Sequence, residues 1–228
     1  MYFDAYHYVE DKYDYTGYFD YIKSIKRGIF LDTAPLYILV VGHYDSVHGT
    51  RLISKFQSKS LGKQRNYEVY DYHYLLAFLN SIGLGKDYNL YITPHIFTEF
   101  IKHLWEIDQS NFKNILETIF KNKWYIREKN PSYDCFINHI DFMRKRLEIG
   151  DISLTIVCNS ESCLEKPIKT ILTDDEPFQR IADKEYGFIV IYYNDIRNGT
   201  VSFKKNQQKI PEILLKEPPV NMENSSKR

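Results

Sequence analysis

The sequence predicts a three-layer α/β sandwich with a central, mostly parallel sheet. Two observations lead there. Short apolar runs alternate along the chain with longer helical patterns, as in strand–helix–strand units. Acids also stand at the ends of two of those runs: Asp32 after the first and Asp174–Asp175 after a later one. In parallel sheets the carboxyl ends of the strands are where ligand groups gather, so both acidic positions fall on one rim.

The elements follow in order. Residues 1–27 are rich in Tyr and charge, and Tyr18, Phe19, Ile22 and Ile25 have the spacing of a short helix over 17–26. Gly28–Leu31 is a buried strand ending at Asp32. Pro35 suits a first helical turn, and the apolar run 36–42 continues it. Residues 46–67 hold five basic residues and no acid. Tyr70–Leu79 is an aromatic-rich helix closed by Gly83 and Gly85. Asn89–Ile92 is a strand, and Thr93-Pro94 opens a helix with Thr at the N-cap and Pro at N1. In that helix Ile96, Phe97, Phe100, Ile101 and Leu104 make one apolar stripe, and Glu99 lies on the opposite side with His95 and Lys102.

Helical patterns follow at 111–121 and 134–148. Lys169–Thr173 is a strand, 176–184 a helix and Gly187–Tyr193 an apolar final strand. The chain thus divides into an N-terminal extension (1–27), one domain (28–194) and a polar tail (195–228) that reads as disordered.

Composition narrows the function classes. Of 228 residues 43% are hydrophobic, enough for a packed core. Thirty basic residues balance thirty acidic ones, so any nucleic-acid site must rest on local charge. The three cysteines form no CxxC pair and suit a reducing compartment, so a cytoplasmic protein is expected. No apolar stretch approaches a membrane span, and the acidic N-terminus does not suit a signal peptide. Phosphate-loop, nucleophile-elbow and HExxH motifs are absent from the sequence.

Four acidic segments remain: IFLDTAPLYIL, YITPHIFTEFIKHL, LEIGDISLTIVCNS and ILTDDEPFQRIA. Their types and order resemble the four motifs of PIN-domain nucleases, across residues 28–194. The resemblance implies a PIN-like fold and a cluster of Asp32, Glu99, Asp151 and Asp175 holding Mg²⁺ or Mn²⁺. Thr173 would be the supporting hydroxyl and Asp174 the second choice for the last acid. It further implies cleavage of single-stranded RNA, with DNA a weaker expectation. Many such proteins are toxins restrained by a cognate antitoxin, and a homodimer or a non-catalytic scaffold for RNA or protein also fits. Crowded carboxylates need a cation to stay ionised together, and hard oxygen ligands favour these metals. Such a site suits phosphodiester hydrolysis.

Each acid has a plainer explanation. Glu99 alone would be a solvated helix residue, and Asp151, Asp175 and Asp32 alone would be helix caps. Residues 152–158 alternate as a strand does, whereas the resemblance requires a helix there, and a helix is expected. Arg51, Lys55, Lys59, Lys63 and Arg65 are candidates for gripping phosphates, or else a solvated helix face. Arg144-Lys145-Arg146 is open to the same two explanations. Tyr67, Tyr70, Tyr72 and Tyr74 either stack bases or fill the core. His43, Asp45 and His48 are a weaker candidate for a transition-metal site.

Overall fold

The computed structural model describes residues 27–60, 63–81, 89–121, 126–132, 134, 137, 147–159 and 168–197. The helix expected over 17–26, the closing glycines Gly83 and Gly85, Cys135, Cys163 and Arg144-Lys145-Arg146 lie outside them, as do nearly all of 134–148 and the tail beyond 197.

The first apolar run forms strand β1 (Ile29–Leu31), every residue buried. Helix α1 (Thr33–His48) follows directly, capped by Asp32 and closed by Gly49 in the left-handed region. Its apolar run has no 3.6-residue period, because the helix is buried on almost every side, from Thr33 through Gly42 and again at Tyr44 and Asp45. A short 3₁₀ turn (Ile53–Lys55) leads into an antiparallel hairpin, β2 (Gln57–Ser60) and β3 (Lys63–Asn66). The basic stretch is therefore not a helix face. Lys59 pairs with Gln64 and Lys63 with Ser60 across the hairpin, while Arg51 and Lys55 precede it as exposed residues.

Helix α2 (Val69–Ser81) then lies against α1. They pack closely at Gly42, where a methyl group would sit 2.5 Å from Tyr72 Cβ. Gly42→Ala is expected to destabilise the protein by about 1–3 kcal/mol through overpacking. Urea titration checks this, and an unchanged midpoint would show that the two helices separate freely.

Strand β4 (Leu90–Ile92) leads into helix α3 (Pro94–Ile107), capped by Thr93 with Pro94 in its first turn, as the sequence predicts. Helix α4 (Phe112–Lys121) and a strand the sequence does not signal, β5 (Ile126–Glu128), follow. Edge strand β5 is mostly exposed and charged, so it lacks the apolar signature of the others.

Helix α5 (Ile149–Asn159) occupies the stretch whose alternation resembled a strand. Every residue from Gly150 to Cys158 is buried, so no polar face marks the helical period, and packing overrides the β-branched propensity. Strand β6 (Thr170–Thr173), helix α6 (Glu176–Tyr186) and strand β7 (Ile189–Tyr192) complete the alternation.

A further short helix, α7 (193–197), extends the ordered packing beyond 194. Ile196 is fully buried, Tyr193 donates to Asp71 Oδ1 at 2.7 Å, and Arg197 lies 3.3 Å from the same oxygen. Residues 195–197, assigned to the tail from the sequence, are thus part of the domain's packing.

The main sheet has the order β5-β4-β1-β6-β7, and all four pairings are parallel. The chain builds outward from β1 to β4 and β5, then returns to place β6 on the other side of β1. The order therefore reverses between β1 and β6, which is where such sheets open a crevice at their carboxyl ends. Among the described residues, no helix is long and apolar enough to cross a membrane.

Candidate functional site

Four of the acids singled out in the sequence stand at or around that reversal. Asp32 ends β1, and its backbone N–H extends the ladder to Leu172 O at 3.0 Å. Its side chain accepts from Thr33 N at 2.6 Å and from Thr173 Oγ1 at 2.5 Å. The second bond crosses the β1/β6 reversal and joins positions far apart in sequence. It ties Thr173 of β6 to Asp32 at the end of β1.

Asp175 caps α6, accepting from Phe178 N at 2.9 Å, and its own N–H donates to Thr173 Oγ1 at 2.9 Å. The helix-cap explanation is therefore right for Asp175. It leaves open a second role, because the carboxylate still lies close enough to raise the pKa of both Asp32 and Asp151. Asp174 faces different chemistry. It is 1% exposed and accepts a short hydrogen bond from the Tyr67 hydroxyl.

Asp151 is not an N-cap. It lies in the first turn of α5, and its Oδ2 accepts from Glu148 N at 3.3 Å, the reciprocal half of a capping box. Glu99 is not a freely solvated residue either. It is half-buried on α3 and accepts from Thr33 Oγ1 at 2.6 Å. Its carboxylate also rests on Gly150: a methyl group there would meet Oε2 at 2.9 Å and Oε1 at 3.0 Å. An added methyl would have to push the ends of the Glu99 and Ile96 side chains aside. Gly150→Ala is expected to displace Glu99 and weaken whatever the carboxylates bind by about 10- to 100-fold. Manganese titration calorimetry on the variant checks this, and unaltered binding would separate Glu99 from the site.

Electrostatics joins the four. Asp32 is raised from its ordinary 3.8 to about 7, chiefly by burial; the bonds from Thr173 and Thr33 offset part of this, and the charges of Glu99 and Asp175 add to it. Asp151 is also raised well above the usual range, chiefly by burial and then by the charges of Asp32 and Asp175. Three of the acids sit at the starts of α1, α5 and α6, whose dipoles favour negative charge and offset part of this cost. Among the described residues no salt bridge reaches any of the four.

Whether these residues suit a metal rests on the donor set. Buried, mutually repelling carboxylates without a basic partner are what a divalent cation would neutralise, and their oxygens match Mg²⁺ or Mn²⁺. Among the described residues, however, no three His, Cys, Asp or Glu side chains stand ready around one ion position. Mg²⁺ keeps several waters and takes one or two carboxylates directly, so a looser acidic rim still suits it.

The other candidates separate. Asp45 is buried and ties down the following loop, accepting from Thr50 Oγ1, Leu52 N at 3.0 Å and Ile53 N at 2.7 Å. His43 meets the Tyr72 hydroxyl at 2.9 Å, and His48 lies against the Tyr44 ring. These three do not assemble as a transition-metal site. Tyr67 and Tyr72 are core residues, Tyr74 is half-buried, and Tyr70 is exposed. Two contributors, Thr33 and Gly150, were not singled out from the sequence, although each adjoins one of the acids. No family model, curated protein or solved structure gives a significant match to the chain.

Proposed function

We propose that this protein is a PIN-like, metal-dependent nuclease acting on single-stranded RNA. One observation carries the reading: four acids from four separate segments, in the order of the four PIN motifs, stand around the sheet reversal, with the charges of Glu99 and Asp175 bearing on Asp32 and those of Asp32 and Asp175 on Asp151. Asp32, Glu99, Asp151 and Asp175 would hold Mg²⁺ or Mn²⁺, directly or through water. When bound, that ion supplies Lewis acidity toward the phosphodiester oxygens.

The chain's own residues prepare the site. Thr173 and the Thr33 amide fix both oxygens of Asp32. Thr33 also orients Glu99 through its hydroxyl, so one residue serves two acids. The α6 cap holds Asp175 in place through the Phe178 amide. Arg51 and Lys55, with Lys59, Lys63 and Arg65 of the hairpin, would supply sequence-independent attraction for the RNA backbone.

The test is end-labelled single-stranded RNA incubated with the purified chain in Mn²⁺, Mg²⁺ or EDTA. Cleavage in either metal and none in EDTA is expected. Cleavage that persists in EDTA would remove the metal from the reaction. A second reading is a non-cutting PIN-like scaffold, favoured by the absence of a closed ligand set among the described residues. It predicts RNA binding without cleavage under all three conditions.

A further inference from the structure

The turn that carries Thr173 and Asp175 contains a third polar residue whose burial the acidic rim does not explain. Asp174 is 1% exposed and accepts from the hydroxyl of Tyr67, 107 positions away. Tyr67 is itself fully buried. It stacks on Phe56, with ring centroids 5.7 Å apart and planes 20° apart, and meets the Tyr193 ring edge-on at 6.2 Å. Phe56 just precedes β2 and Tyr67 just follows β3, so the stacked pair forms the base of the hairpin. Tyr193 in turn donates to Asp71 of α2. The ring of Tyr67 is therefore held from two sides, which aims its hydroxyl at Asp174.

The consequence falls on the neighbours of Asp174. Thr173 points its hydroxyl at Asp32, and the Asp175 amide returns to that same hydroxyl. Both bonds depend on the path of the backbone between them. A buried carboxylate with a fixed donor holds that path, and taking away the Tyr67 hydroxyl costs it one of its hydrogen bonds in a setting where water does not replace it. We propose that Tyr67 is a positioning residue for the acidic rim. Through Asp174 it fixes the 173–175 turn, and so sets how tightly the rim takes a divalent cation. The cation arm of this inference rests on the function proposed above, whereas the turn arm does not.

The experiment compares the full chain with Tyr67→Phe, which removes only the hydroxyl, and Asp174→Asn, which keeps an acceptor for it. Amide hydrogen exchange is followed at Asp175 and Phe178, with β1 and β4 amides reporting the rest of the fold. Tyr67→Phe should speed exchange at the two turn amides by about tenfold while β1 and β4 stay protected, and Asp174→Asn should remain slow. In parallel, Mn²⁺ calorimetry should show about tenfold weaker binding by Tyr67→Phe.

Unchanged exchange at Asp175 and Phe178 in a folded Tyr67→Phe protein overturns the proposal. So does acceleration spread equally over β1 and β4, which would make Tyr67 a general core residue. If Tyr67→Phe does not fold, Asp174→Ala breaks the same contact from the other end, and the same two exchange outcomes decide. If the wild-type chain takes up no Mn²⁺, the metal reading fails while the exchange result still settles whether Tyr67 fixes the turn. Mn²⁺ binding that is equal in wild type and a turn-loosened variant overturns the link to the rim.

Discussion

Asp32→Asn is expected to reduce metal-dependent RNA cleavage by about 100-fold or more while leaving the fold intact. The substitution is isosteric. The asparagine oxygen still accepts from the Thr33 amide, and its NH₂ group faces the Thr173 hydroxyl, which can reverse and accept. Only the charge is lost, at a residue that both adjoins the sheet reversal and feels Glu99 and Asp175. Glu106→Gln, an exposed acid near the end of α3, is the matched control and should cleave as wild type does. Gel-resolved initial rates at saturating Mn²⁺ make the comparison. Equal rates for wild type and Asp32→Asn would remove the acid cluster from any catalytic role.

The second large effect concerns stability without metal. Asp32 is raised from 3.8 to about 7 in the folded chain. The folded protein therefore holds this proton at pH values where the unfolded chain, near 3.9, has released it. Its contribution to stability is full below the unfolded value and is lost as pH rises through about 7. Asp151 shifts in the same direction and adds to the slope. In EDTA, wild type should thus lose several degrees of Tm relative to Asp32→Asn between about pH 5 and about pH 8. Mn²⁺ at the upper pH should restore much of that loss, because a bound cation replaces the missing proton. Thermal melts across this range decide the matter. A pH-independent difference between the two proteins would mean that Asp32 is not held in a buried, negatively charged setting.

Much of this architecture was legible before any coordinate. Caps and breakers mark the element starts: Asp32 before α1, Thr93-Pro94 before α3 and Asp175 before α6 all act as the local chemistry predicts. Amphipathic α3 shows its period plainly because one of its faces meets water. Two helices hide theirs. In α1 and α5 nearly every position is buried, so polarity does not alternate with the turn. Periodicity alone would have made α5 a strand; the resemblance of its segment to a PIN motif led to the helix that the fold contains.

The site divides along the same line. The sequence by itself determined which acids were available and that Asp32 and Asp175 end strands or begin helices, since these are properties of neighbours along the chain. Tertiary structure decided everything that depends on approach through space. It set Glu99 on Gly150 and under the Thr33 hydroxyl, turned Asp174 to Tyr67 and away from solvent, and bridged Thr173 to Asp32. It also made a hairpin of the basic stretch. A carboxylate's neighbours along the chain do not reveal its charge state. Burial and the charges folded around it do, and these arise only once β1 and β6 lie side by side.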